Sequence, residues 1–395
     1  MRRVRVNAAA AGRRLTLVVA AGASVVSVAA SLPDARRYVF WADEFASAKV
    51  ILKPTIGGVL GQIARRESTP PAWYLLAWVV HHTGVTPHGL RMLSVIFAAA
   101  LAGLSVLYAR RFMSLFGAAL VGILVALGGE FMRHSWELRA YSLFALLCLV
   151  FAVTLEWASR SVSKGRLALL AVVVALGSTT HYFFLFTLFA GLVWLWLTPA
   201  STRVRRRVTG AAALGLLPLI AWSPWFVHQT AADHTRRLGA FSLSKIAYAS
   251  TRLLATGAPK HHGNWLLALH VLIDVVAVVG VIVLARRGGT ALLCALLALS
   301  PLVCGAVLSL AGFHILDFRN LIGSGPFLAI AVVVALDAMP MRPLARVALA
   351  AALILAVCGF VFAKARPPHR LGVSPYRAVL ESPMPSRARG RIMGV

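Results

Sequence analysis

The sequence predicts an all-α membrane protein, a polytopic helical bundle of about 11 transmembrane helices that each use about 20 residues. The first observation is composition: hydrophobic residues make up 59% of the 395 residues and charged residues only 13%, with a mean hydropathy of +0.81. Soluble domains carry about 25% charged residues, so this composition excludes a soluble enzyme. The second observation is order along the chain, because apolar runs long enough to cross a bilayer alternate with short clusters of Lys and Arg.

The excess of basic residues predicts orientation in a membrane and no binding of nucleic acid. The formal net charge is +28, and Lys and Arg lie mostly between apolar runs. Cytoplasmic loops of membrane proteins carry this excess, and anionic headgroups attract it. Membrane lipids are therefore expected partners. The four cysteines all lie within apolar runs, a placement that predicts neither a disulfide framework nor a metal site.

The first elements are a span and a long outer loop. Five arginines precede the apolar run 15–31, a pattern shared by cleaved signal peptides and first membrane spans. We favour an uncleaved span with a cytoplasmic N-terminus. Residues 32–88 are rich in Pro and Gly and form the first extracytoplasmic loop. Within it, 71–80 offers ten apolar residues with Trp73, Tyr74 and Trp78, which suits a helix lying along the membrane interface rather than across it.

The next apolar run, 90–109, ends at Arg110 and Arg111, which are cytoplasmic if 71–80 does not cross. The remaining spans are expected near 117–133, 140–158, 167–180, 182–198, 209–227, 265–285, 290–310, 321–338 and 346–362. In this register every cytoplasmic loop is basic and none is acidic, as the positive-inside rule requires. The expected organisation is one transmembrane domain, 1–362, followed by a basic C-terminal tail, 363–395, which the register places outside.

Two adjacent acids, Asp43 and Glu44, are the candidate catalytic residues. A partly desolvated carboxylate at the membrane surface can accept a proton from a hydroxyl group, which makes the pair a candidate general base. The alternative is a pair of solvated loop acids that balance Arg36 and Arg37.

Further candidates lie at the outer ends of later spans. Glu137 and Tyr141 are four residues apart, so we expect them to share one helix face. Between them lies Arg139, a cation suited to a lipid phosphate. The alternative is a surface ion-pair cluster of Arg133, Glu137 and Arg139, which contributes little stability.

Arg319 and His181 each have a functional and a structural interpretation. Arg319 is a second candidate phosphate ligand, and the alternative is a local pair with Asp317. His181, beside Tyr182 at an outer boundary, is a candidate substrate contact or a structural histidine.

The histidine pairs His81–His82 and His261–His262 lack further ligands at metal-site spacing, so no metal and no cofactor are expected. Acids inside spans mark functional sites by default, and His270 and Asp274 share a helix face. A secondary transporter or a lipid-linked-sugar flippase with a His270/Asp274 relay is therefore the alternative function. The absence of an inverted repeat argues against it.

Six short motifs occur in a recognisable order. They are Trp41-Ala42-Asp43-Glu44, Thr69-Pro70-Pro71-Ala72-Trp73-Tyr74-Leu75-Leu76, Leu90-Arg91-Met92-Leu93-Ser94, Arg110-Arg111-Phe112, Glu137-Leu138-Arg139-Ala140-Tyr141, and Thr180-His181-Tyr182-Phe183, followed by Phe318-Arg319-Asn320-Leu321. This order resembles the bacterial polytopic glycosyltransferases related to protein O-mannosyltransferases, which belong to the GT-C class. Two positions depart from the family pattern: Thr69 replaces a histidine, and Phe45 replaces a small residue.

The resemblance implies a GT-C fold and a mannosyltransferase-like activity. The donor would be a polyprenyl-phosphate sugar and the acceptor a hydroxyl of a protein, glycolipid or polysaccharide. Asp43 would be the general base, with Glu44 orienting a sugar hydroxyl or tuning its partner. The resemblance also implies an inner-membrane location with an extracytoplasmic active site. The residues expected to bind donor phosphate or substrate are Arg139, Glu137, Tyr141, His181, Tyr182 and Arg319.

Overall fold

The computed structural model describes residues 2–231 and 264–353, apart from positions 314, 316, 341, 343, 346 and 350. All regular secondary structure in this part of the chain is helical, and the predicted all-α membrane class is confirmed. Five described helices are long and apolar enough to cross a membrane: Ala11–Arg37, Arg91–Ala109, Tyr141–Arg160, Gly289–Leu310 and Phe318–Ala338. The chain is a multi-pass membrane protein, and the count of eleven spans stays a prediction because the expected span 346–362 lies largely outside the described residues.

The helices follow one another with short connections. They are α1 (Arg2–Arg37), α2 (Ala42–Ile51), α3 (Ile56–Arg66), α4 (Ala72–His82), α5 (Arg91–Ala109), α6 (Leu115–Leu127), α7 (Gly129–His134), α8 (Tyr141–Arg160), α9 (Lys164–Thr180), α10 (Phe184–Leu197), α11 (Thr202–Gly215), α12 (Leu217–Ala231), α13 (Asn264–Arg287), α14 (Gly289–Leu310), a 3₁₀ helix (Phe318–Ser324) and α15 (Gly325–Ala338).

Hydroxyl side chains begin several of these helices. The side chains of Thr55, Ser114, Ser163 and Ser201 each accept a hydrogen bond from a backbone N–H in the first turn that follows. Each such cap stabilises its helix by about 1 kcal/mol. Ser114, Ser163 and Ser201 lie between spans predicted from the sequence, so these helices begin within the predicted connections.

Small residues let α1 and α5 pack closely. A side chain at Gly103 would collide with Ser24 and the backbone of Ala20, and Ser24 Oγ donates a hydrogen bond to the carbonyl of Ala99 at 2.8 Å. Close approach of backbones over Gly, Ala and Ser is the usual way in which membrane helices associate. This contact sets α1 beside α5 along its length.

The basic connections lie together at one end of the bundle. Glu156, near the end of α8, accepts hydrogen bonds from Tyr108 at 2.8 Å, Arg111 at 2.6 Å and Arg160 at 3.2 Å. Arg160 also donates to Thr290 at the start of α14. Three connections expected to be cytoplasmic, those after α5, α8 and α13, therefore meet on the same side, as the predicted register requires.

The acid pair and its candidate partners lie at the opposite end. Arg91, the first residue of α5, donates hydrogen bonds to the carbonyls of Ala35 and Tyr38 at the end of α1. The start of α5 therefore lies beside the end of α1, so the segment that contains α2 to α4 begins and ends at the same end of the bundle. Helix α4 has 11 residues, about 17 Å of helix at 1.5 Å per residue, too short to span a bilayer about 30 Å thick.

Two of the predicted spans are each divided into two helices. The expected span 117–133 is helix α6 with 13 residues, followed by the short helix α7. The chain turns at Gly128, whose ψ of 148° is extended. The expected span 209–227 is two helices bent by 46°, with Leu216 between them. Apolar composition extends across both breaks, so hydropathy alone could not reveal them.

Candidate active site

Asp43 presents an accessible carboxylate in the first turn of α2. Its side chain is 35% exposed, and its Oδ2 accepts a hydrogen bond from Arg319 Nη1 at 2.8 Å. Arg319 lies in the 3₁₀ helix, where its Nε is 3.4 Å from Asp317 Oδ2. The expected local pair with Asp317 therefore exists, and a second acid 276 residues away joins it. The fold brings the candidate base and a candidate phosphate ligand into contact.

Glu44 occupies a different environment although it is the next residue. Its Oε1 accepts hydrogen bonds from Arg91 Nε and from the Leu138 N–H, both at 2.8 Å, and its Oε2 accepts one from Arg91 Nη2 at 2.6 Å. Both side chains are 0% exposed. Two parallel hydrogen bonds of this kind are the strong geometry for an arginine and a carboxylate. Glu44 therefore ties α2 to α5 and to the segment before α8, and no part of it reaches the surface of the site.

Arg139 lies at the centre of a polar network. Its Nη1 lies 3.0 Å from Ser47 Oγ, 3.3 Å from the Tyr74 hydroxyl and 3.4 Å from Glu67 Oε2. The Tyr74 hydroxyl donates to Glu67 Oε2 at 2.6 Å, and Thr69 Oγ1 donates to the Tyr74 hydroxyl at 3.4 Å. Burial and the Glu67 carboxylate raise the pKa of Tyr74. The network holds the guanidinium, 11% exposed, beside the backbone of α2.

Glu137 and Tyr141 do not share a helix face, so that expectation was wrong. Residues 135–140 form a turn and bends, and α8 begins only at Tyr141. The turn lets Ser94 Oγ donate to the carbonyl of Glu137 and directs the Leu138 N–H towards Glu44. Tyr141 is buried, with its ring 5.9 Å from the Arg139 guanidinium. A helix through this segment would have consumed the backbone groups that form these contacts.

The Glu137 carboxylate is buried against three charged neighbours. Its Oε2 is 2.6 Å from His134 Nδ1, and its Oε1 is 3.4 Å from Arg133 Nε. Burial raises the pKa of Glu137, whereas the positive charges of His134, Arg133 and Arg139 lower it. The charges have the larger effect, so the pKa of Glu137 lies below its usual value. The expected cluster of Arg133, Glu137 and Arg139 thus exists in part, because Arg133 pairs with Glu137 while Arg139 pairs with Glu67.

Arg133 is a site residue that sequence reasoning treated only as part of an ion-pair cluster. Its guanidinium lies 5.5 Å from the centre of the Trp41 ring and 6.0 Å from that of Phe318. The Arg319 guanidinium lies 5.7 Å from the same Trp41 ring. Two cations therefore face one indole two residues before Asp43, a favourable cation–π arrangement. The spacing of four residues between Arg133 and Glu137 could have indicated their ion pair. The contact of Arg133 with Trp41 joins residues far apart in the sequence, so no local pattern indicates it.

His181 and Tyr182 lie in adjoining aromatic layers. His181 is 4% exposed, and its ring stacks on Phe144 with 4.4 Å between centroids. Its Nδ1 accepts a hydrogen bond from the Phe183 N–H at 3.2 Å. The Tyr182 hydroxyl donates to Gln229 Oε1 at 2.6 Å and accepts from Trp222 Nε1 at 3.1 Å. The Tyr182 contacts hold the start of α10 beside α12, and Gln229 of α12 in turn donates a hydrogen bond to the Ile63 carbonyl of α3 at 3.1 Å.

The residues of the alternative function and of a metal site are only partly described. The side chain of His270 and the pair His261–His262 lie outside the described residues, and Asp274 lies within α13. Across the described ranges, no three His, Cys, Asp or Glu side chains form a group that could hold a metal ion.

Comparison with known proteins identifies the fold. No family model and no curated protein matches the chain. The chain is similar to the crystal structure of the Archaeoglobus fulgidus oligosaccharyltransferase in the apo form, with a TM-score of 0.56, 12% identity and coverage of 88% of this chain and 55% of that one. The same oligosaccharyltransferase in complex with Zn and sulfate gives a TM-score of 0.55 at 12% identity, covering 87% of this chain and 52% of that one.

A second solved protein is similar over a larger share of its length. ArnT from Cupriavidus metallidurans in the apo state has a TM-score of 0.55 and 15% identity, with coverage of 94% of this chain and 68% of that one. The chain spans about half the length of the oligosaccharyltransferase that it matches. The neighbours are GT-C glycosyltransferases, and similarity at these identities concerns the fold. The chain therefore has the GT-C fold of membrane glycosyltransferases, as its motifs predicted.

Proposed function

We propose that this protein transfers a sugar from a polyprenyl-phosphate donor to a hydroxyl acceptor, with inversion at the anomeric carbon. The observation that carries the proposal is the accessible Asp43 carboxylate, which pairs with Arg319 at 2.8 Å. Arg139 Nη1 lies 3.5 Å from the Asp43 backbone carbonyl, and the Arg133 guanidinium faces the Trp41 ring. A base and several cations at one membrane boundary match the two needs of the reaction. These needs are removal of a proton from the acceptor and stabilisation of charge on the lipid phosphate.

Asp43 is the better candidate base of the two neighbouring acids. Its side chain is 35% exposed, so an acceptor hydroxyl can reach it. Glu44 is 0% exposed and both of its oxygens already accept hydrogen bonds. A general base must come within about 3 Å of the proton that it removes. Glu44 therefore acts by positioning α2, which carries Asp43.

In the proposed reaction, Asp43 removes the proton of the acceptor hydroxyl as its oxygen attacks the anomeric carbon. Attack comes from the face opposite the lipid phosphate, the bond between the anomeric carbon and the phosphate oxygen breaks, and polyprenyl phosphate leaves with the bonding electrons. Arg319 and Arg139 contact the phosphate and stabilise its charge. Arg319 must then exchange some of its contact with Asp43 for the phosphate, which leaves the carboxylate free to accept the proton.

Location supports a lipid-linked donor. The site lies at the end of the bundle opposite the basic connections around Arg111 and Arg160, which are the loops that the positive-inside rule assigns to the cytoplasm. An extracytoplasmic site faces away from cytoplasmic nucleotide sugars. A polyprenyl chain, in contrast, can approach from the bilayer beside the site.

The proposal is tested with the purified full chain in lipid nanodiscs and a panel of radiolabelled polyprenyl-phosphate sugars with hydroxyl acceptors. We expect transfer from at least one donor. The Asp43→Asn variant should turn over about 10²–10⁴-fold more slowly, as is typical for loss of a general base. Asp34→Asn, the same change nine residues earlier at the end of α1, is the matched control and should stay active. An Asp43→Asn protein with near wild-type turnover would remove Asp43 as the base.

A further inference from the structure

A buried chain of charged groups lies behind the candidate site, and the proposed reaction uses none of its inner members. His134 has no exposed side-chain surface, and each of its ring nitrogens faces a carboxylate. Nδ1 is 2.6 Å from Glu137 Oε2, and Nε2 is 3.2 Å from Glu130 Oε2. The two carboxylates are only 2% and 3% exposed. Burial of charged groups requires that each has a partner of opposite charge nearby.

Elementary hydrogen bonding limits the charge of this triad. A neutral imidazole has one N–H group and can donate to only one acceptor, whereas an imidazolium donates from both nitrogens. His134 Nδ1 hydrogen-bonds Glu137, and Nε2 lies within ion-pair distance of Glu130. An imidazolium beside two carboxylates gives the triad a net charge of −1. Burial lowers the pKa of His134, but Glu137 and Glu130 raise it more, so that the pKa lies above its ordinary value. The two carboxylates, 2.6 and 3.2 Å from the ring nitrogens, therefore favour the imidazolium.

The triad is continuous with the surface of the site. The second oxygen of Glu137 lies 3.4 Å from Arg133 Nε, and the Arg133 side chain is 29% exposed. The Arg133 guanidinium lies over the Trp41 ring. Four groups thus alternate in sign from the site to the interior, in the order Arg133, Glu137, His134 and Glu130, and their charges sum to zero.

We propose that His134 is a positioning residue for the lipid phosphate. Its positive charge balances the buried carboxylates and so leaves Arg133, at the outer end of the chain, able to contact an incoming phosphate. This role rests on the proposed function. Without the imidazolium, two buried carboxylates share a site, and the excess negative charge lies beside the cations that the phosphate must reach. Affinity for the phosphate then falls, and protonation of one carboxylate restores it.

A purely structural network would behave differently. It would hold residues 135–140 in place, and its loss would destabilise the protein. The pH dependence of phosphate affinity would then be the same in the variant as in wild type. The titratable groups that face the His134 ring are Glu130 and Glu137, with the Tyr141 ring 4.3 Å away on α8. Helix α1 contributes a neutral contact next to His134, the hydrogen bond from Ser31 to Ser135.

The test measures binding of undecaprenyl phosphate, which carries the lipid and phosphate of the proposed donor class, to the full chain in nanodiscs. The His134→Gln variant should bind about tenfold more weakly than wild type near pH 8, the factor that corresponds to one charge-assisted contact. Near pH 6 the difference should shrink to about threefold or less, because a buried unpaired carboxylate takes up a proton. The ratio of variant to wild type is compared at each pH, since the phosphate itself titrates near pH 6.

A double variant separates charge balance from loss of the ring. His134→Gln with Glu130→Gln removes one positive and one negative charge, which returns the triad to −1. It should bind undecaprenyl phosphate within about threefold of wild type at both pH values. Arg133→Gln leaves the buried triad intact and should bind weakly at both pH values. If His134→Gln does not fold, the Arg133→Gln variant still tests whether Arg133, the exposed member of the charged series, contacts the phosphate.

Three outcomes overturn the proposal. The first is that His134→Gln binds undecaprenyl phosphate as wild type does. The second is that His134→Gln binds equally weakly at both pH values and the double variant does not restore binding. The third is that Arg133→Gln binds as wild type does. The proposed function can fail separately, since a wild-type protein that binds undecaprenyl phosphate but transfers no sugar contradicts transfer and keeps the His134 role. A wild-type protein that does not bind the lipid contradicts both.

Discussion

Glu44 and Asp43 are neighbours, and the structure predicts opposite consequences when each loses its charge. Glu44→Gln leaves the Arg91 guanidinium, 0% exposed, without its carboxylate partner. Removal of one member of a buried ion pair costs about 3–5 kcal/mol, because the remaining charge is desolvated and unpaired. Three backbone carbonyls, those of Ala35, Tyr38 and Val39, still accept hydrogen bonds from Arg91, so we expect the lower part of that range.

Asp43→Asn should have little effect on stability. The Asp43 and Arg319 side chains are 35% and 25% exposed, and partly exposed ion pairs contribute about 0–1 kcal/mol after screening by solvent. The two variants should therefore differ by about 2–4 kcal/mol in free energy of unfolding. Asp43→Asn should be stable and slow, whereas Glu44→Gln should be unstable, with its folded fraction still active.

The assay is denaturant unfolding of the purified protein in detergent micelles, combined with turnover per folded molecule. A control replaces both partners: Glu44→Gln with Arg91→Met removes the unpaired charge and should recover part of the lost stability. If Glu44→Gln is as stable as wild type and as slow as Asp43→Asn, then Glu44 is accessible to substrate. Its assignment as a positioning residue would then be wrong.

Three further predictions concern the proposed phosphate ligands, the alternative function and the topology. Arg139→Ala and Arg319→Ala should each weaken donor binding by about 1.5–3 kcal/mol while single-turnover rates at saturating donor change less, and equal loss of rate and affinity would contradict this division. Asp274→Asn should retain most sugar transfer when expression is matched, and loss of activity there with a silent Asp43→Asn would favour the transporter. In a cysteine-free background, Thr86→Cys should react with an impermeant reagent added outside and Arg110→Cys should not, because the register places them on opposite sides. Labelling only at Arg110→Cys would invert the orientation.

The adjacent residues Asp43 and Glu44 show which features of the candidate site could be predicted from the sequence and which could not. Both were predicted as catalytic residues from their adjacency and motif. Successive helix positions point about 100° apart, so one side chain faces the site and the other faces α5. Which of them faces inward depends on Arg91, 47 residues away, and no local pattern contains that information.

The amino-acid sequence was enough to predict the fold class, the grouping of basic connections at one end of the bundle with the acid pair at the other, and the short helix α4. These features follow from hydrophobic length and charge, which are properties of contiguous segments. It also singled out Asp43, Arg139 and Arg319. Only the tertiary structure joined Asp43 to Arg319, broke the expected helix before Tyr141 and aligned Glu130, His134, Glu137 and Arg133 in one chain. Pairing between distant segments and the burial of charge depend on packing in three dimensions, so they cannot be read from a single stretch of residues.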